Sequence, residues 1–566
     1  MENPFCKTVS EPVFENNNIE IIKGKLTDPY KAYIIRYYEL FDFHSYKLLL
    51  IAVSNKLVVM LKKKYFTGIL LIIFFSFAHN NLCGQKNLGF ESGLEGWIVS
   101  GLVNLETSDC AFKGNHCIKL VSPGAEVFQR ISVNPLSLVQ LTAFGKSIPE
   151  GVQGISFIRF YDDTHNLIVE FRGNSFSSAE YSYTGYYTMA PAKSKYLTYG
   201  ISKKSAEGII FGDEIGIQIN IDTEDSLKAP IVNLDQYLKP FWDCDTTYNE
   251  TVLLYSVNGG TPNGKLMFNP SEIISVRSFD LQSLYIQDGD YTLSGNIISK
   301  LKGSAIPSRA DTSLSNKDLA WYDIQSQWVV VTYIHKDKWK GMIPAFKGDK
   351  MPKTFQKLES AAPLKIVAFG MSITRGMDVS GYHNLPPYMP TYVDLFIRQL
   401  KKNFGYDNIT LKNAGLPGGT IEWAAQYTDE YINPYNPDLI ILDFGMNDFW
   451  SLTPIQFKNY MQTVIDKCKA HNKNIEIVLI SNMKFDPAYI HSDNEKKIWY
   501  ESNLSGYNRV LQSLCKEGII NLDIYTLSGD IFKSKKAKDC IVNPLHPNDY
   551  LARWYAQGLS ALFIKN

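Results

Sequence analysis

The chain has 566 residues, with 57 Lys+Arg balanced by 57 Asp+Glu and 45% hydrophobic residues. That length predicts three or four domains at about 100–200 residues each, and a net charge of zero argues against a nucleic-acid partner. A 13% aromatic share argues against long disorder, and one lone membrane-like stretch excludes a multi-span membrane protein.

Residues 1–59 show no clear amphipathic period and read as an unstructured extension ahead of a translation start at Met60. From Met60 to Gln85 three lysines (Lys62 to Lys64) precede an apolar run, Phe66 to Ala78, and a small-residue exit. This is the layout of a secretory signal peptide, its apolar run too short to span a bilayer comfortably. Residues 60–85 are therefore expected to be removed, leaving a periplasmic or secreted protein with no stable membrane span. Cys110 and Cys117 flank a short turn and can pair in an oxidising compartment. Cys244, Cys468, Cys515 and Cys540 lack metal-type spacing and read as buried thiols.

Residues 86–225 hold short alternating runs broken by Gly, Asn and Ser, such as FQRISV (128–133), ISFIRFYD (155–162) and GIQINI (216–221). Even spacing of such runs predicts an all-β sandwich. The opening NLGFESGLEGW (Asn87–Trp97) and the closing FGDEIGIQI (Phe211–Ile219) resemble carbohydrate-binding modules of the galactose-binding-like jelly-roll type. The resemblance implies a structural calcium between Glu91 and Asp213, since carboxylate oxygens suit that hard ion; surface acids are the other reading. Tyr181, Tyr183, Tyr186 and Tyr187 are candidates to stack on sugar rings, or to pack the core as alternating aromatics do.

A Pro- and Asp-punctuated stretch, 224–249, leads to a second all-β unit, a small β-sandwich domain over 250–360 expected to pack beside the catalytic one, with TVLLYSV (251–257) and WVVVTYI (328–334) as strands. From 361 to 566 the pattern changes. The runs KIVAFG (365–370), ITLKNAG (409–415), LIILDFG (439–445) and IEIVLIS (475–481) alternate with helical periods at 392–404, 455–470 and 550–563. Strands separated by helices predict a parallel sheet covered on both faces, a three-layer α/β/α domain. In such sheets ligands bind at the carboxyl ends of the strands.

Polar motifs follow those runs. Gly370-Met371-Ser372-Ile373 ends the first, Asn413-Ala414-Gly415 the second and Gly445-Met446-Asn447-Asp448 the third, and Asn543-Pro544-Leu545-His546 precedes the last helix. Each piece is weak alone. In this order, at strand ends, they resemble the four blocks of the SGNH (GDSL-type) hydrolase family, and the two β units in front resemble the architecture of two-domain carbohydrate esterases.

Ester hydrolysis needs a nucleophile, a base and donors aimed where the carbonyl oxygen becomes negative. The resemblance makes Ser372 the nucleophile and His546 the base. The Ser372 N–H, the Gly415 N–H and the Asn447 amide become the oxyanion donors, each worth about 3–4 kcal/mol of barrier. As separate residues they read as a helix cap, turn residues and a structural histidine. His383, His471 and His491 have no partner motif and read as surface.

Two positions depart from the family pattern. Met371 stands where the family has aspartate, which predicts an altered local hydrogen-bond set and unchanged attack chemistry. Asn543 fills the slot of the usual triad aspartate, and an amide does not stabilise an imidazolium as a carboxylate does. The expectation is a Ser372–His546 dyad with Asn543 as orienter, its side-chain oxygen accepting from the ring. No organic cofactor or catalytic metal is required. The expected activity is deacetylation of a polysaccharide or oligosaccharide, with the β modules raising local substrate concentration. A lipase, lysophospholipase or thioesterase on the same superfold and a binding protein with a decayed hydrolase domain are the alternatives.

Overall fold

The computed structural model describes residues 19–23, 32–37, 46–53, 56–63, 87–107, 110–220, 228–310, 325–485, 494–543 and 545–565. The apolar run of the export segment, Phe66–Ala78, lies outside the described residues. Two compact units result, Met1–Cys83 and Gly84–Asn566.

In the first unit, four strands (Ile19–Lys23, Ala32–Tyr37, Tyr46–Val53, Lys56–Lys63) pair in sequence order as an antiparallel meander. This differs from the expectation of an extension without elements. Each of these runs carries Ile, Val or Tyr, and such side chains favour extended backbone even where no amphipathic period is visible.

The second unit opens with a sandwich of two five-stranded sheets between Ile98 and Asn220. Alternation decides which face is buried. Along Leu138–Ile148 the side chains of Val139, Leu141 and Ala143 enter the core, while Gln140, Thr142, Phe144 and Lys146 face away from it. Between Thr246 and His335 a second pair of sheets follows, one four-stranded and one five-stranded.

The C-terminal sheet is wholly parallel, in the order Ile409–Gly415, Leu364–Gly370, Leu439–Asp443, Glu476–Ile480, Ile519–Leu522. Its inner strands carry the buried apolar runs Ile366–Phe369, Leu439–Leu442 and Ile477–Ile480, as burial on both faces requires. Helices Tyr392–Phe404, Ile421–Tyr431, Pro454–His471, Asn494–Ser513 and Asp549–Phe563 connect or follow the strands. Thr391, Thr420, Thr453 and Asn548 cap four of them with side-chain oxygens.

The β modules are built into the hydrolase part. One continuous core contains Leu136, Leu138 and Met189 of the sandwich, Val252 and Val331 of the second β unit, and the parallel sheet. The stretch expected as a connector packs against the same part: Asn233 caps a short helix, Leu234–Tyr237, and Asp235 pairs with Arg398 at 3.0 Å. Helix Pro352–Glu359, expected in the small β domain, sends the N–H groups of Lys353 and Thr354 to Glu476 of the parallel sheet. The sandwich keeps a core of its own as well, around Phe90, Trp97, Leu141 and Ile217.

Candidate active site

Strand Leu364–Gly370 ends in a turn with no room for a Cβ at Gly370, where one would lie 2.0 Å from Thr374 Oγ1. Helix Ser372–Arg375 starts at once and is closed by Gly376 at φ 76°, a left-handed conformation that favours glycine. Ser372 is its first residue, so its N–H has no partner within the helix. Met371, in the place of the expected aspartate, is fully buried in the main core, so the neighbouring slot is filled by packing.

His546 sits in a tight loop ahead of helix Asp549–Phe563. Val542 N–H donates to His546 O at 3.0 Å and Asn548 N–H to Cys540 O at 2.9 Å. The Asn548 side chain accepts from Tyr550 and Leu551 N–H, both at 3.1 Å. This brings His546 Nε2 to 2.6 Å from Ser372 Oγ. The two residues are 174 positions apart in the chain.

Asn447 is half-buried after the third strand, and its Nδ2 donates to Gly419 O at 2.9 Å, which leaves one amide hydrogen. Gly415 differs from expectation. Its N–H donates to Asn413 Oδ1 at 3.0 Å, so in this state it is not a free oxyanion donor. Its contribution is close approach, since a Cβ there would lie 2.6 Å from Arg375 N and 2.8 Å from Met371 O.

The orienter role given to Asn543 also needs correction. Its Oδ1 accepts from Leu545 N–H at 2.9 Å, and its Nδ2 lies 2.6 Å from Asp378 Oδ2 and 2.7 Å from His546 Nδ1. The amide turns its hydrogens, not its oxygen, toward the ring. Asp378 Oδ2 is in direct contact with His546 Nδ1. Sequence reading passed over Asp378, although the missing acid at 543 was reason to look for one near the nucleophile. His383, read as surface, is half-buried, with Nε2 2.5 Å from Met377 O and 3.9 Å from Asp378 Oδ1. Burial holds its imidazole below the ordinary range, against the pull of Asp378. His471 lies at the end of helix Pro454–His471, and His491 is outside the described residues.

Three further carboxyl groups are buried around the strand ends. Asp443 accepts from Thr374 Oγ1 at 2.8 Å and Tyr392 OH at 2.9 Å. Asp448 accepts from Ile421 N–H at 2.9 Å. Asp549 accepts from Ser380 N–H at 2.7 Å and Oγ at 2.6 Å. Loss of solvent pushes Asp443 and Asp549 up to about 6 and Asp448 up to about 7, with these hydrogen bonds opposing.

On the sandwich, Cys110 and Cys117 form a disulfide. Within its loop, Phe112 and Lys113 N–H donate to Asp213 and Asn115 and His116 N–H to Glu91. Asp213 also accepts from Glu214 N–H, and burial pushes it up to about 6. A calcium ion needs roughly six to eight oxygens. Here both carboxylates face N–H donors, and among the described residues no three His, Cys, Asp or Glu side chains converge. The residues present do not fit the expected ion; they pin the disulfide loop.

That loop lays Phe112 on the outward face of the sheet, stacked on Phe144 at 4.0 Å, with Tyr181 at 5.5 Å from Phe112 and Tyr183 at 5.8 Å from Phe144. Lys146 Nζ lies 4.7 Å from the Tyr181 ring. Tyr186 instead stacks on Phe171, which also meets Tyr427 of the hydrolase part, and Tyr187 packs against the main core. Two of the four tyrosines thus belong to an open aromatic face and two to internal packing.

No curated protein matches the sequence. Among solved structures, the enzymatically active domain of bacteriophage CBA120 tailspike protein 4 is 14% identical and covers 24% of this chain, with a TM-score of 0.21. This chain spans only 21% of that one. A family 16 carbohydrate-binding module is 18% identical over 24% of this chain and 97% of its own, with a TM-score of 0.21. A catalytic mutant of an acetylxylan esterase from Geobacillus stearothermophilus is 16% identical over 36% of this chain and 97% of its own, with a TM-score of 0.29. Residues 368–553 match the GDSL-like Lipase/Acylhydrolase family, and the C-terminal part of the chain is a domain of that family of carboxylic ester hydrolases.

Proposed function

We propose that the protein is an exported serine esterase that removes short acyl groups, acetyl foremost, from a polysaccharide or oligosaccharide. The observation that carries the esterase reading is the 2.6 Å contact between Ser372 Oγ and His546 Nε2. At that distance the imidazole takes the hydroxyl proton as Oγ attacks the ester carbonyl. The oxyanion so formed lies near the Ser372 N–H and the remaining Asn447 amide hydrogen, fixed donors that oppose its charge. As the carbon–oxygen bond to the sugar breaks, His546 returns the proton to the departing alkoxide. Water then attacks the acyl-serine with His546 again as base, releasing the free acid and restoring Ser372.

One observation supports the substrate class. The face formed by Phe112, Phe144, Tyr181 and Tyr183 offers apolar ring surface with polar edges, suited to the C–H faces of sugars. The lysine-led apolar segment before Gln85 supports export.

The test is acetate release from acetylated polysaccharides by the full chain, with Ser372→Ala as control. Release that vanishes in Ser372→Ala is expected. Preference for long-chain over acetyl esters moves the substrate to lipids, and wild-type turnover by Ser372→Ala removes the serine mechanism.

A further inference from the structure

We propose that Asp378 is the positioning carboxylate of this site, so that the relay runs Ser372–His546–Asp378 with its acid drawn from the loop after the nucleophile. This rests on the serine-esterase reading above and names the residue that the histidine loop lacks.

Hydrogen accounting assigns the role. Leu545 N–H donates to Asn543 Oδ1 at 2.9 Å, and Asn543 Nδ2 donates to Asp378 Oδ2 at 2.6 Å. Turning the amide over would set two oxygens face to face at Asp378 and two nitrogen donors face to face at Leu545, so its orientation is fixed. Asn543 therefore has only hydrogens to offer the ring. His546 Nδ1 touches the same Asp378 Oδ2, and an imidazole nitrogen facing a carboxylate carries the hydrogen. Nε2 is then bare, as a base for Ser372 must be, and the hydrogen at 2.6 Å belongs to Oγ. One carboxylate oxygen thus selects the tautomer and faces the positive charge that develops on the ring.

The backbone holds Asp378 in this place. Gly376 turns the chain back at φ 76°, and Met377 N–H donates to Ser372 O at 3.0 Å. Two residues after Asp378, Ser380 is clamped by its N–H and Oγ to Asp549 at 2.7 and 2.6 Å. Asp549 opens the helix that follows the histidine loop, so the acid loop and the base loop are locked together. The Asp378 side chain is 6% exposed, which limits solvent screening of the pair. The other titratable ring facing it is His383, 3.9 Å from Oδ1.

The experiment measures kcat and KM on 4-nitrophenyl acetate for the full chain, Ser372→Ala, Asp378→Asn, and the double variant Asp378→Asn/Asn543→Asp. Asp378→Asn should lower kcat by ~10³–10⁴-fold with KM little changed. The acid limb of its kcat/KM profile should move to lower pH, because the ring loses the charge that favours its protonated form. The double variant moves the carboxylate to the other side of Nδ1, where the Asn543 nitrogen now lies 2.7 Å away, and should regain at least ~10-fold of the loss.

Asp378→Asn that melts like wild type, turns over within about threefold of it and keeps its pH profile overturns the proposal, while an inactive Ser372→Ala leaves the esterase reading standing. Turnover by Ser372→Ala at the wild-type rate removes the esterase reading itself. Should Asp378→Asn fail to fold, the double variant decides: folded and active supports the relay, folded and inactive overturns it.

Discussion

The ammonium of Lys535 meets the carboxylate of Glu250 at 2.5 Å with both side chains wholly out of solvent. Glu250 also accepts from Met267 N–H at 2.8 Å and Tyr333 OH at 2.6 Å, and Asp539 Oδ1 accepts from Leu253 N–H at 2.8 Å. Burial works against the charge on Lys535, but Glu250 and Asp539 outweigh it and hold the ammonium above its usual range. This network joins the second β unit to the root of the histidine loop, and Val542 of that loop packs among Leu253, Phe279, Trp328 and Val330. Lys535→Met leaves Glu250 buried and unpaired and should cost about 3–5 kcal/mol in urea unfolding. Lys535→Met combined with Glu250→Gln should cost less than Lys535→Met alone; an equal or larger loss would show that the charge pair is not the source.

The parts legible in sequence are those where residue type and strand position coincide. Ser372, Asn447 and His546 follow strands or precede a helix in a fixed order, so the approach of Ser372 to His546 could be expected. The hydrogen-bond partners were not legible. Whether the Gly415 N–H is free depends on the rotamer of Asn413, and whether Asn543 offers oxygen or hydrogen depends on Leu545. Asp378 reaches His546 only through a left-handed turn and a clamp to Asp549, contacts with no local signature. Glu91 and Asp213 were visible as acids at matching ends of the sandwich, but their N–H partners sit in a disulfide loop whose path the spacing does not give.

Asn447 and Gly415 make separable contributions. On the proposed mechanism Asn447→Ala removes an oxyanion donor and should lower kcat by ~10²–10³-fold with little change in KM or melting temperature. Gly415→Ala forces a methyl against Arg375 N and Met371 O and should cost about 1–3 kcal/mol of stability as well as turnover. Equal stability of the two variants would refute the close-approach role of Gly415.

The buried carboxyl groups give the stability a pH dependence of definite sign. Asp448 is pushed up to about 7 and Asp443 and Asp549 to about 6, from an ordinary 3.8. The native state therefore holds protons that the unfolded chain releases. The stability these groups supply is complete below the unfolded value and is lost as pH rises through about 6–7. Unfolding free energy should fall between about pH 4 and about pH 7. Asp448→Asn keeps an oxygen for Ile421 N–H and cannot ionise, so its profile should be flatter; an unchanged slope would exclude Asp448 as a contributor.

The aromatic face can be tested apart from the chemistry. Tyr183 is 47% exposed and pairs across the sheet with Phe144, on the side away from the sandwich core. Truncating it removes ring surface without opening a cavity, so folding should be nearly unaffected. Ring contacts of this kind are worth about 0.5–1.5 kcal/mol, so Tyr183→Ala should weaken retention in gels containing acetylated polysaccharide by roughly 2–10-fold. Turnover on 4-nitrophenyl acetate should stay at the wild-type level, because that ester is too small to touch the sandwich. Tyr187→Ala, which removes a ring packed against the main core, should instead lower the melting temperature. If Tyr183→Ala binds the polysaccharide as tightly as wild type, this face is not where the sugar chain is held.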